Sequence, residues 1–186
     1  MATDKERVFF SSKRAATPHC FDLATRSLRA AEIQIDRIWK RPIVSGTPAV
    51  VECAFQDILI DIHFYFIALR NVYRFLEKVV KDPAFEQFSP DVKRLSDTWF
   101  KHYAKGREAF EHIDQRFPGE KQEHQLVEVS DGGNTRKIHY GLSLRDGVFR
   151  HSNLSFDISR KSFDQLKADV DVVFAKIVNS CPSKST

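Results

Sequence analysis

Apolar residues recur in steps of three and four over the first 118 positions, then in steps of two, then again in threes and fours. The first change of period marks a switch from helix to strand, the second a return to helix. Thr17-Pro18 reads as a helix start, with a hydroxyl at the cap and proline at the first helical position. Phe21, Leu28, Ile35 and Ile38/Trp39 follow at helical spacing, and Pro42 and Gly46 end the segment. Thr47-Pro48 repeats the signal and opens a second helix running to about Lys81, before Asp82-Pro83. Its inner stripe is Val51, Phe55, Ile58, Ile62, Tyr65, Leu69, Val72, Leu76 and Val79, with Leu59, Phe66, Tyr73 and Val80 beside it. Ile60 and Ile67 make the middle apolar nearly all round, the pattern of a helix buried on both sides in its own bundle or at a dimer interface.

A third helix is expected from Ser89-Pro90 to Pro118-Gly119, with Val92, Leu95, Trp99, Tyr103, Phe110, Ile113 and Phe117 facing inward. Gly106 falls on that stripe, where it costs about 1 kcal/mol against alanine. Close approach of a neighbouring helix, or a kink, would offset that cost. Beyond Pro118, Gln125–Ser130 reads as a strand and Asp131-Gly-Gly-Asn134 as a turn. Ile138, Tyr140, Leu142 and Leu144 alternate with polar or small residues as one half-buried strand. Asp146-Gly147 marks another turn, followed by short segments at Val148–Arg150 and Leu154–Ile158. Ser159 caps a last helix with Phe163, Leu166, Val170, Val173 and Ile177 inside. The expected fold is α+β, mainly α: a three-helix N-terminal bundle (17–118), a small antiparallel β-meander (about 124–158) and a closing C-terminal helix (160–180). Residues 1–16 read as a flexible basic tail and 17–186 as a single domain.

Composition changes this picture little. The 186 residues are 42% hydrophobic and 29% charged, which excludes fibrous or wholly disordered chains; 16 of the 22 aromatics are Phe. The net charge is +4, and all of it lies early: residues 1–50 hold 9 Lys/Arg against 5 Asp/Glu, leaving 20 against 20 for the rest. That surplus falls short of the basic stripe of a dedicated DNA binder. Cys20, Cys53 and Cys181 are odd in number and widely spaced, which fits a reducing compartment without a disulfide framework or zinc site. The N-terminus lacks the apolar core of a secretory signal. The most apolar run, ILIDIHFYFIAL, has 12 residues, where a bilayer span needs about 20. The expectation is a cytoplasmic protein with no membrane contact.

Phosphate loops, nucleophile elbows, HExxH and EF-hand motifs are absent, and the seven histidines are scattered. The informative run is GREAFEHIDQRFPG, residues 106–119, in which four residues separate Arg107 from His112. This resembles the Arg-x4-6-His motif of the HEPN superfamily, helical-bundle proteins of bacterial defence, toxin systems and RNA processing. The chain is similar in layout to uncharacterised bacterial proteins in which the motif helix precedes a few strands and a last helix. The resemblance implies metal-independent RNA cleavage without a cofactor. His112 would be the general acid or base at the ribose 2′-OH, and Arg107 would hold the charge on the phosphate. It also implies a homodimer over this helix, and RNA, a nucleotide or a cognate protein as partner.

Glu108 follows the arginine where the family commonly has Asn, Asp or His, and it stands one turn from His112. Arg107 and Glu111 are spaced for a surface ion pair. Five residues on a regular helix turn the chain some 140° about its axis, so Arg107 and His112 meet only through a kink, arginine reach or a second protomer. Arg70 and Asn71 could form a further polar site. Trp99, Phe100 and Tyr103 could stack a base, although Trp99 and Tyr103 fit the core stripe. Asp57, Asp61 and His63 sit in the most apolar part of the second helix, where a bare charge is costly. Arg70 and Arg74 flank the same helix further on, and Arg107 is a candidate cross-helix partner, in a network that orients the bundle. Catalytic nuclease, non-catalytic binding module and interaction scaffold are the three functional readings.

Overall fold

The structure is a computed structural model that describes residues 13–41, 48–111, 126–131, 134–139, 143–151 and 154–180. Helix α1 spans Lys13–Lys40 and α2 Pro48–Val79. A 3-10 turn at Glu86–Phe88 leads into a third rod, made of α3 (Ser89–Leu95), a π turn (Ser96–Phe100) and α4 (Lys101–Glu111). Five strands follow: β1 Leu126–Asp131, β2 Asn134–His139, β3 Ser143–Arg145, β4 Val148–His151 and β5 Leu154–Asp157. Helix α5, Arg160–Ser180, closes the described chain. The protein is α+β and mainly α, as the change of period implies.

Helix α1 starts earlier than its cap signal suggests. Pro18 lies inside it, and residues 13–16 are helical rather than tail. Proline near a helix start removes only one amide while the turns beyond it keep theirs. The Thr17 hydroxyl, freed from capping, donates to Asp82 Oδ2 at 2.7 Å. Asp82 Oδ1 also accepts the Ala84 amide at 3.0 Å, so one carboxylate fixes the turn after α2 and fastens α1 to it.

Ala24, Leu28, Ala31, Ile35 and Ile38 line the inner face of α1. On α2, Ile62, Tyr65, Leu69, Val72, Leu76 and Val79 are fully buried, which is the expected stripe. The outward side keeps apolar residues in the open: Ile60 is 53% and Phe64 51% exposed.

The third rod departs from a continuous helix. Its π turn inserts one extra residue, and the buried register changes across it. Phe100 takes the core position at 2% exposure, while Trp99, expected inside, is only half-buried. Tyr103 and Phe110 then resume the stripe. At Gly106 a Cβ would stand 2.7 Å from the ring of the buried Phe66, so close approach of α2, and not a kink, explains this glycine.

Among the described residues the strands pair as a two-stranded and a three-stranded antiparallel sheet. β1 pairs antiparallel with β2, with Leu126 opposite His139 and Asp131 opposite Asn134. β3, β4 and β5 make a separate three-stranded antiparallel sheet in sequence order. Of the strand expected through Ile138–Leu144, Ile138 and His139 lie in β2 and Ser143 and Leu144 in β3, and residues 140–142 lie outside the described residues. Asp146 and Gly147 have φ of 52° and 80°, and this two-residue turn joins β3 to β4. Gly147 packs against the start of α5: its carbonyl accepts the Ile158 amide at 2.8 Å, and a Cβ there would lie 2.8 Å from Ser159 Cβ. Ser159 caps α5 as expected, with its Oγ accepting the Ser162 amide at 3.1 Å.

Candidate functional site

Helix α4 lies against the middle of α2. Tyr73 stacks on Phe100, while Phe66 meets Tyr103 and Phe110, so the two helices run antiparallel. Arg107 stands between Tyr103 and Phe110, next to the Gly106–Phe66 contact, and is half-buried. Glu108 is exposed. Glu111 is the last residue of α4; its side chain and all of His112 lie outside the described residues. Arg70, exposed, and Asn71, half-buried, sit about one turn beyond Phe66 on α2. His63 is half-buried, with its ring 5.3 Å from Phe110.

The carboxylates of α2 find partners on a different helix from the one expected. Asp61, 1% exposed, accepts Arg41 Nη2 at 2.6 Å, and Arg37 Nε lies 3.2 Å from its other oxygen. Arg41 Nη1 reaches Asp57 at 2.9 Å. Both arginines come from the end of α1, where cations also favour the negative end of the helix dipole. The network holds α1 to α2, which is the orienting role expected of it.

A second polar region was not singled out by any sequence motif. An open cleft of about 410 Å³ lies between the π turn and the first two turns of α5. From the π turn and α4 come Thr98, Trp99, His102 and Tyr103; from β5 and α5 come Asp157, Lys161, Ser162 and Gln165. Trp99 Nε1 donates to Asp169 Oδ2 at 2.8 Å. The Tyr103 hydroxyl donates to the Asp157 carbonyl at 2.6 Å and lies 3.5 Å from Ser162 Oγ. His102 rests on the Phe156 ring, with centroids 4.9 Å apart. Burial raises the pKa of Tyr103. Behind it, Tyr65 is fully buried, and its hydroxyl has no hydrogen-bond partner among the described residues. Burial first, then the neighbouring Tyr103 and Asp157, hold Tyr65 well above the usual phenol range. The signal that could have found this cleft is the Ser159 cap, which places Lys161 and Ser162 in the first turn of α5. Nothing in the sequence reveals the π turn opposite.

Among the described residues, no group of three or more His, Cys, Asp or Glu could hold a metal ion, and no helix is long and apolar enough to cross a membrane. Comparison with protein-family models, with curated proteins and with solved structures finds no match to this chain.

Proposed function

We propose that this protein is a HEPN-like, metal-independent endoribonuclease that acts as a homodimer, with Arg107 and His112 as its catalytic pair. The observation that carries the reading is the position of Arg107: half-buried on α4, beside the glycine that lets α2 and α4 close together. A guanidinium there is anchored by packing and presents a planar fork of donors that fits phosphate oxygens. His112 takes the proton of a ribose 2′-OH as that oxygen bonds to phosphorus, the bond from phosphorus to the 5′-oxygen of the next nucleotide breaks, and that oxygen takes its proton from solvent water. Arg107 offsets the charge that builds on the phosphoryl oxygens. The products are a 2′,3′-cyclic phosphate and a 5′-hydroxyl. The exposed Ile60 and Phe64 on α2 supply apolar surface that a second protomer would cover.

Cleavage of single-stranded RNA in EDTA tests the proposal. Wild type should produce cyclic phosphate ends, and His112→Ala should lose at least about a hundredfold in rate, the usual contribution of a general acid or base. Equal activity in both proteins removes His112 from the mechanism.

The exposed Glu108 favours a second reading, a non-catalytic module that binds RNA, a nucleotide or a cognate protein. A carboxylate directly after the arginine repels a phosphodiester and opposes turnover more than it opposes docking. This reading predicts binding without cleavage, with the nucleotide form of it lost in Arg107→Ala.

A further inference from the structure

We propose that the cleft between the π turn and the start of α5 binds a nucleoside monophosphate, at a site whose lining does not include Arg107.

Three features converge on it. The first is the π turn itself. A π turn is a rare and locally strained winding, found frequently at functional sites. Here it moves Trp99 off the core stripe and into the cleft wall, with Phe100 in the core position instead. The Trp99 N–H is committed to Asp169, so the indole contributes chiefly its ring to the lining. The second is the charge that remains free. Lys161 lines the cleft from the first turn of α5 and forms no ion pair among the described residues. It adds to the positive end of a 21-residue helix dipole. Arg160, its neighbour, is fully engaged by Glu32, Asp36 and Asp164 and is not available to a ligand. The third is the polar floor. Asp157 gives one carboxylate oxygen to the Ser159 amide at 2.9 Å and keeps the other. The fully buried Tyr65 hydroxyl behind the Tyr103 wall is unpartnered among the described residues.

Each group selects a part of the ligand. The ammonium and helix start call for an anion, the Asp157 oxygen for a hydroxyl donor, and the Trp99 and His102 rings for a flat π surface. A sugar phosphate bearing a base supplies all three, and free phosphate or a free nucleoside supplies only some. The cavity volume falls in the range of roughly 300–1,000 Å³ typical of small-molecule sites.

Isothermal titration of the full chain with adenosine monophosphate, adenosine and inorganic phosphate tests this. The monophosphate should bind, and adenosine and phosphate should each bind at least about tenfold more weakly. Lys161→Gln, a change at an exposed position, should weaken the monophosphate by about tenfold or more and leave adenosine unaffected. Gln165→Trp, which fills the cleft from the α5 side, should abolish binding. Arg107→Ala should bind as wild type does, so a failed nuclease and a failed cleft are told apart. Absence of any heat with the monophosphate at about 5 mM overturns the proposal. So does an unchanged affinity in Lys161→Gln, or a loss of binding in Arg107→Ala alone.

Discussion

Helix α2 is held on two sides by opposite means. Toward α1 an ionic clasp is added to the apolar seam, with the buried Asp61 gripped by Arg37 and Arg41. Toward α4 and the three-stranded sheet, five residues further on, the joint is aromatic. Phe66 meets Tyr65, Tyr103, Phe110, Phe149 and Phe156, with ring centroids 5.1–6.3 Å apart. The first joint is specified by charge and tolerates small differences in volume, since an arginine can shift along its stem and still reach a carboxylate. The second is specified by shape, because rings in a dry interior leave no room to adjust. The nuclease reading places Arg107 at the rim of the shape-specified joint, where position is held most closely.

The largest way to break the contrast is Asp61→Ala. It removes the buried acceptor of both arginines while Arg41 keeps Asp57 and Arg37 turns to solvent, and urea denaturation should show a loss of about 1.5–3 kcal/mol. Asp61→Glu, which keeps the charge, should recover most of that. At the aromatic joint the damaging change is an added methyl. Gly106→Ala raises helix propensity by about 1 kcal/mol, yet the Phe66 ring stands in its way. Thermal or urea unfolding should show a net loss of about 1–3 kcal/mol.

Two smaller effects sharpen the comparison. Tyr65→Phe removes a buried hydroxyl without a described partner and keeps the ring, so stability should hold or rise by up to about 1 kcal/mol. The pKa of Tyr65 is raised in the fold, so its share of stability is complete below the unfolded value of about 10 and lost as pH climbs beyond it. The phenylalanine variant should therefore lose less stability than wild type when titrated above that pH. The smallest effect lies on the surface. The Lys40 hydrogen bond, assisted by Arg160, lowers the pKa of Asp36. A lowered carboxylate contributes above its unfolded value near 3.8 and loses that contribution as pH falls through the folded one. Asp36→Asn should show a slightly shallower acid transition by circular dichroism.

The helices were legible where one face of the chain is buried along its whole length. The stripe of α2 needed only periodicity, and Ser159 announced α5 because a cap is a local interaction. Gly106 could be flagged from sequence because a glycine on a core stripe needs a neighbour's close approach. The partners of Asp61 could not be chosen, since several arginines were plausible and only the packing of α1 on α2 decides among them. Trp99 was placed inside because periodicity assumes a constant winding, which the π turn breaks. The cleft draws on three segments that share no motif, whereas the Arg107–His112 spacing is readable in one line; its second half lies outside the described residues.

The five-residue winding at Ser96–Phe100 has a consequence for how this chain can vary in length. Excising one residue there would restore ordinary coiling and leave the two halves of the rod facing nearly as they do now, because the wider turn is what absorbs the extra residue. Only the residues of the turn itself would change direction. A single-codon deletion would therefore act on the Thr98–Trp99 wall of the cleft and spare the α4 residues beyond it.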